Sequence, residues 1–278
     1  MKLGIFPNRE KQKAMSILEN LLDFCKENDV QTLVFNDTKD VKNTDDIKSI
    51  DVAISIGGDG TFLHMAQSVA GYGIPVCGIN VGRKGFLTEI EIPNMKNAVS
   101  KIVSGKYAIE ERTMLESSVW RGERCMVSGT ALNDSVISKA NNNNLVRLSV
   151  NINSSKQESY YSADGIVFAT ATGSTAYSLS AGGPIVDPSL PVMIITPICP
   201  HSLYTRPLII PDTGEIVIKP CAPYNEMIIS NDGKVLSEIC PDDMVKIKTS
   251  TMKSKFIKLD KASYYDTWQQ RLQKGETI

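Results

Sequence analysis

Residues 51–63 read Asp-Val-Ala-Ile-Ser-Ile-Gly-Gly-Asp-Gly-Thr-Phe-Leu, an apolar β-branched run that stops in three glycines around one aspartate. The run 52–56 suits a strand buried on both faces, and 61–70 after it is compatible with helix. A strand, a glycine loop and a helix in that order confine the chain to a crossover in a parallel α/β sheet. Such sheets bind ligands outside the carboxyl ends of their strands. There glycine lets a phosphate approach the backbone, and the following helix N-terminus favours negative charge. Asp59 is the odd member of the loop. A carboxylate repels phosphate, so its presence points to a proton acceptor or to contact with phosphate through a metal ion, against the plain alternative of a turn or helix-capping aspartate.

Around this crossover, strand patterns at 2–6, 31–35, 51–56 and 75–79 alternate with helical ones, including 9–26 and 94–104, the last closed by Gly105. Residues 107–120 are strand-like, and helical periodicity then disappears for over a hundred residues. Short apolar strands punctuated by Gly, Asn and Pro are expected at 127–136, 145–152, 165–169, 192–195, 208–210, 215–218, 227–230 and 244–249. The chain thus divides into an α/β domain over 1–106, an all-β domain over 107–254 and a segment 255–278, with helical character over 262–273 and the aromatics Tyr264, Tyr265 and Trp268. The four asparagines at 141–144 read as a hairpin tip.

In residues 170–184, Thr-Ala-Thr-Gly-Ser-Thr-Ala-Tyr-Ser-Leu-Ser-Ala-Gly-Gly-Pro, all but Tyr177, Leu179 and Pro184 are Gly, Ala, Ser or Thr. Such a segment offers hydroxyls and close backbone approach. A small polar ligand would find donors in its amides and in Ser174, Thr175, Ser178 and Ser180, with Tyr177 as a stacking face. A solvated linker is the bland alternative, but this stretch lies between the apolar runs 165–169 and 191–196, and we read it as a binding segment.

Gly57-Gly58-Asp59-Gly60-Thr61, the stretch from Asn80-Val81-Gly82 to Gly85-Phe86-Leu87-Thr88-Glu89, Asn133-Asp134, Ala163-Asp164-Gly165 and the run from Thr172-Gly173-Ser174-Thr175-Ala176-Tyr177 to Pro184 stand in the order found in NAD kinases. The chain resembles a bacterial NAD kinase. The likeness runs from about residue 54 to 234, with further support at Ser202-Leu203 and Arg206-Pro207, while the first 50 residues match only in their α/β pattern. The Gly-Gly-Asp-Gly-Thr loop is shared with diacylglycerol and sphingosine kinases and, more loosely, with phosphofructokinases. The Thr-Gly-Ser-Thr-Ala-Tyr segment is close to diagnostic.

That resemblance implies transfer of the terminal phosphoryl group of ATP, or of polyphosphate, to the 2′-hydroxyl of the adenosine ribose of NAD. It also implies a β-sandwich-like second domain, a C-terminal segment returning to the first domain, and a homodimer or homotetramer. By motif match Asp59 is the catalytic base, and Gly57, Gly58, Gly60 and Thr61 face phosphate. Asp59, Gly60, Phe62, His64, Asn133, Asp134, Ser162, Asp164, Thr172, Ser174, Thr175, Ala176, Tyr177, Ser178, Leu179, Ser180 and Lys234 fall on NAD-binding positions. Asn133 and Asp134 would meet ribose, with a turn after a strand as the alternative. Asp164 would lie beside the nicotinamide end, with a hairpin turn as its alternative, and Phe62 would line the adenine pocket unless it is core. Phosphoryl transfer calls for a divalent metal, magnesium by that chemistry, with no protein ligands assigned. Three positions depart from the family pattern: Ala171, where many members carry Pro, Lys84 in place of an apolar residue, and Lys234 where Gln or His is common. Two rival readings are a lipid kinase sharing the glycine loop, and a non-enzymatic dinucleotide sensor, which would have no need of Asp59.

Thirty basic and 31 acidic side chains give 30 − 31 = −1, so no basic field collects nucleic acid. No stretch reaches the roughly 18 apolar residues of a membrane span, and the chain opens on a strand pattern, so the expectation is a cytoplasmic enzyme without a membrane partner. The cysteines at 25, 77, 125, 199, 221 and 240 form no Cys-x-x-Cys pair and read as reduced thiols. His64 and His201 are too far apart in sequence to suggest a structural zinc site.

Overall fold

The structure, a computed structural model, describes residues 1–36, 38, 41, 45–82, 85–140, 144–202, 205–259, 264, 265, 268 and 269. The chain forms two compact units, Met1–Glu111 with Lys253–Ile278, and Arg112–Met252. Arg83, Lys84, Leu203, three of the four asparagines expected at a hairpin tip, and most of the helix expected over 262–273 lie outside the described residues.

In the first unit, strands β1 (Lys2–Pro7), β2 (Gln31–Val34), β3 (Val52–Gly57) and β4 (Val76–Asn80) alternate with helices α1 (Gln12–Glu27) and α2 (Asp59–Ala70). A short β5 (Ile90–Glu91) and helix α3 (Met95–Val103) follow. All pairings are parallel, in the order β2-β1-β3-β4, with β5 beside β4 and Phe256 of the returning chain opposite Val76. Strand β3 is buried at every residue, as its unbroken apolar run requires of a strand covered on both faces. Helix α1 buries Ala14, Ile17, Leu18, Leu21 and Cys25, and α3 buries Met95, Ala98, Val99 and Ile102, the 3-and-4 spacing of a single apolar stripe. Both stripes pack on Leu3, Ile5, Ile54, Ile56 and Ile79 of the sheet.

The second unit takes the strands β6 (Ala108–Arg121), whose first four residues belong to the first unit, β7 (Arg124–Ala131), β8 (Asp134–Lys139), β9 (Val146–Ile152), β10 (Ser159–Ala163) and β11 (Gly165–Thr170). After the one-turn helix α4 (Tyr177–Ser180) come β12 (Val192–Ile198), β13 (Leu208–Pro211), β14 (Glu215–Pro220), β15 (Met227–Asn231), β16 (Lys234–Ile239) and β17 (Asp243–Lys258), whose last residues belong to the first unit. One antiparallel sheet runs β13-β12-β11-β8-β15-β16, and β10-β9-β14-β17 forms a second. Between them Ile137, Ile166, Phe168 and Ile195 from the first meet Leu148, Val150, Ile216 and Ile247 from the second in one core, which makes a β-sandwich. Strand β11 is buried on both faces. Ile166 and Phe168 point into the sandwich, while Val167 and Ala169 join a smaller cluster with Ala171 and Val186 from the small-residue segment.

Three local expectations change. The run 127–136 is two strands, because the amides of Leu132 and Asn133 turn away from the ladder to the Asp232 carboxylate, at 2.7 and 2.9 Å. Asp164-Gly165 is no hairpin: β10 pairs with β9 in one sheet and β11 with β8 and β12 in the other, so the chain steps between sheets at Asp164. Strands β10 and β16 escape sequence reading because neither alternates apolar with polar: β10 reads Ser-Tyr-Tyr-Ser-Ala, and β16 places Val235 and Leu236 side by side.

Phe62 also departs from its expected place at a ligand. It is 1% exposed, and its ring meets Phe256 edge to face at 5.0 Å, so it is part of the core that seats α2. Phe62→Ala should therefore cost about 3 to 5 kcal/mol of stability in urea titration, as for other aromatic deletions from cores. A residue lining a ligand pocket would instead change ligand affinity and leave the urea midpoint near that of the parent.

Candidate functional site

In the first unit the site is built where β3 gives way to α2. Gly57 ends the strand, Gly58 is extended at the N-cap, and the first helical bond runs from Phe62 N to Gly58 O at 3.1 Å. The amides of Asp59, Gly60 and Thr61 therefore open the helix with no carbonyl ahead of them, at the positive end of its dipole. A Cβ at Gly58 or Gly60 would meet nothing within 4 Å, so an anion has room to reach this backbone. The Thr61 hydroxyl accepts a 3.2 Å bond from Asn8 Nδ2, so what this residue offers a phosphate is its amide. His64 sits half-buried further along α2.

The Asp59 carboxylate is held by a loop 26 to 29 residues further along. Its Oδ1 accepts from Leu87 N, Thr88 N and Thr88 Oγ1, each at 3.1 Å, and its Oδ2 accepts a short bond from Phe86 N. The loop comes this close because residue 85 is glycine: a Cβ there would lie 1.8 Å from Asp59 Oδ1. Each carboxylate oxygen has two lone pairs: three donors share those of Oδ1, and Phe86 N takes one of the two on Oδ2, so the open lone pair is on Oδ2. Asp59 is thus a fixed acid group at an anion-attracting helix start, with one oxygen open for proton transfer.

In the second unit the small-residue segment folds back on β11. Thr170 N donates to Asn133 O at 2.9 Å, Thr170 Oγ1 to Leu132 O at 2.7 Å, and Gly173 presses so close that a Cβ would lie 2.1 Å from Asn133 O. This brings the segment against Asn133 and Asp134. Two of the expected hydroxyl donors are used internally. Ser174 Oγ exchanges bonds with Val186 N and O at 3.1 and 3.2 Å, and Ser178 Oγ pairs with Thr196 Oγ1 at 2.8 Å, with all three of these side chains fully buried. They hold the segment down and are withdrawn from the ligand-contacting set. Thr172 and Thr175 are also buried, and Arg112 Nη1 donates to Thr172 Oγ1 at 3.4 Å. What remains outward is Ala176, Leu179, Ser180 and the Tyr177 ring, which is 45% exposed.

Asp164 and Ser162 stand apart from these residues. Asp164 pairs with Lys139 Nζ at 2.7 Å, and Ser162 O accepts from His201 N at 2.8 Å. Asp134 stands opposite Ala169 and Asp164 just precedes Gly165, so the two carboxylates mark opposite ends of β11, on the order of 15 Å apart at strand rise. Lys234 lies at the Asp134 end, exposed on the first residue of β16. Sequence reasoning missed Gly85, Thr88, Arg112, Lys139 and Asp232. Of these, Gly85 and Thr88 stand in a stretch that carries the family resemblance but were given no role, and Asp232 carried a local signal, Asn-Asp-Gly-Lys, the pattern of a two-residue hairpin turn.

Asp134 is 5% exposed, and no hydrogen bond reaches its carboxylate among the described residues. Burial, and secondarily the Asp232 carboxylate, push its pKa up to about 7. Cys77 is buried with its thiol pushed well above its ordinary range by desolvation, so it is inert packing, and all six cysteines are free.

The sequence model for the ATP-NAD kinase N-terminal domain matches residues 3–107, and that for the ATP-NAD kinase C-terminal domain matches 132–259. An NAD kinase from Moorella thermoacetica is 36% identical over 282 residues, covering 99% of this chain and 90% of that protein. One from Caldicellulosiruptor saccharolyticus is 38% identical over 272 residues, covering 98% and 99%. Among solved structures, yeast NADH kinase complexed with NADH superposes with a TM-score of 0.86 at 23% identity, over 100% of this chain and 89% of that one. An NAD kinase from Archaeoglobus fulgidus in complex with ATP gives 0.79 at 23%, over 98% and 99%. At that identity the two structures speak to the fold.

The buried acid carries a pH signature. Between about pH 4, where an exposed aspartate ionises, and about 7, the folded chain keeps on Asp134 a proton that the unfolded chain has released. The folded state binds more protons in this window, so the group's contribution to stability falls as pH rises through it. Asp134→Asn removes the penalty, and its melting temperature should gain on the parent by several degrees between pH 5 and pH 8. A difference that is flat or shrinks over that range would contradict the burial argument.

Proposed function

The chain belongs to the NAD kinase family, and from that premise we propose how its own residues bind the substrates and move the proton. It is an NAD kinase, a phosphotransferase. A ribose hydroxyl is a weak nucleophile at neutral pH, and a carboxylate within reach of its proton contributes typically about 10² to 10⁴ in rate. In the proposed step the 2′-oxygen of the adenosine ribose of NAD bonds to the terminal phosphorus of ATP. The bond from that phosphorus to the bridging oxygen breaks, ADP leaves, and the hydroxyl proton passes to Asp59 Oδ2. The observation that carries this assignment is the carboxylate held by four donors at the start of α2, with its open lone pair on Oδ2. The amides of the first turn of α2 would receive the phosphate oxygens, and inorganic polyphosphate presents the same terminal anhydride to them.

A divalent ion, magnesium in this reading, spreads the charge that develops on the transferring phosphoryl group. No three His, Cys, Asp or Glu side chains gather into a metal cage among the described residues, so the ion is assigned to the phosphate oxygens, with Asp59 an acid at the same helix start.

NAD recognition is assigned to the second unit. Asn133 and Asp134 would hold ribose hydroxyls, with Thr175, Ala176 and Ser180 beside them and the exposed Tyr177 ring as a stacking face. Asp164 and Ser162, at the far end of β11, suit a ligand as elongated as a dinucleotide. A lipid alcohol is the rival acceptor that shares the glycine loop. The match to the ATP-NAD kinase C-terminal domain over 132–259, which includes the small-residue segment, favours NAD. The working assembly is a homodimer or homotetramer and the working location the cytoplasm. Among the described residues no helix is long and apolar enough to cross a membrane.

The roles separate in kinetics. Asp59→Asn is expected to lower kcat by about 10² to 10⁴ with NAD affinity largely kept. Asp134→Ala is expected to act on binding, weakening NAD by about 1.5 to 3 kcal/mol in calorimetry. A near-native kcat in the first variant removes Asp59 from the proton transfer, and unchanged NAD affinity in the second returns Asp134 to a structural role.

A further inference from the structure

We propose that Asp232 is a positioning residue for NAD, acting through the Asn133-Asp134 pair whose backbone it anchors; this rests on the reading of that pair as dinucleotide-binding. Asp232 is 7% exposed and occupies the first place of a two-residue turn between β15 and β16, with φ of +46° and Gly233 at +79°. Both positive angles mark a type I′ turn, where Asn is at least as favourable as Asp. The turn by itself therefore does not ask for a carboxylate.

What uses the carboxylate lies outside the hairpin. Three successive amides converge on it: Leu132 N on Oδ2 at 2.7 Å, and Asn133 N and Asp134 N on Oδ1 at 2.9 Å each. Consecutive amides pointing to one spot form a nest for an anion, and here the anion is supplied by the chain itself. Asp232 N returns a 2.9 Å bond to Asp134 O, so the peptide groups on both sides of Asp134 are tied to one residue. The carbonyl of Asn133 is fixed in turn by Thr170 N, beside Gly173. Asp232 thereby sets the bend between β7 and β8 at the residues proposed to meet ribose, and its negative charge also bears on the ionisation of Asp134.

The test is Asp232→Asn, which keeps the turn but loses the charge and one acceptor oxygen, with Asp232→Gly as a second variant that keeps the positive φ and removes both oxygens. NAD affinity by calorimetry, KM, kcat and melting temperature are measured from pH 5.5 to 9, with Asp134→Ala alongside. The expected result for Asp232→Asn is an NAD KM about tenfold higher, the scale of one bond to a charged group, with kcat within about threefold. The pH dependence of NAD affinity should also move to lower pH, because the like charge beside Asp134 is gone. Asp232→Gly should shift NAD affinity further in the same direction. An Asp232→Asn variant with parental KM and pH profile makes Asp232 a turn residue only and overturns the proposal. So does a lower melting temperature with unchanged calorimetric NAD affinity. If Asp134→Ala weakens NAD and Asp232→Asn does not, the anchor alone fails; if neither does, the reading of the pair as dinucleotide-binding fails and takes the anchor with it.

Discussion

The carboxylate of Asp59, gripped by the backbone of residues 86–88, is the contact on which the functional reading of the first unit rests. A carboxylate in front of a helix N-terminus is an ordinary cap when it accepts from the amides of its own helix. Here it accepts instead from a loop that follows β4, and the helix's own first amides are left facing outward. One interaction thus does two things. It fixes the acid, and it leaves the first amides of α2, at the positive end of the helix dipole, unused by that carboxylate.

The second unit solves a different problem. A segment rich in hydroxyls and glycine cannot bury enough apolar surface to hold itself in place, so it is pinned by polar bonds. Ser174 to Val186 and Ser178 to Thr196 fasten it to the sheet, and Thr170 and Gly173 lock it against Asn133. Buried hydrogen bonds of this kind are costly to leave half made, which gives the segment one arrangement. The price is that its most buried hydroxyls are no longer available to a ligand, and recognition falls to Tyr177, Ser180 and the backbone.

Much of the fold is legible in the sequence because burial leaves a pattern. The unbroken apolar run of β3, the stripes of α1 and α3 and the glycine after α3 all follow from covering a parallel sheet. Edge strands β10 and β16 leave no such pattern, and the bend within 127–136 is invisible because it depends on Asp232, a hundred residues away. The site shows the same division. Asp59 and the glycine loop announce themselves locally. Composition suggests that Ser174 and Ser178 face a ligand, and only tertiary packing shows that they face inward. Gly85, Thr88 and Lys139 act through partners distant in sequence, so even the motif around Gly85 and Thr88 does not say what they touch.

The central claim is that the loop's grip on Asp59 holds its open oxygen in place for proton transfer. Gly85→Ala tests this most directly, because the new Cβ would fall on the Asp59 carboxylate, a side-chain end that must move while the backbone stays. The measurement is kcat for NADP formation from NAD and ATP, with melting temperature and NAD affinity as controls. The account predicts that the variant folds and binds NAD, with kcat down by about 10² to 10⁴, the range for losing a general base. A folded Gly85→Ala enzyme turning over at the parental rate would contradict it.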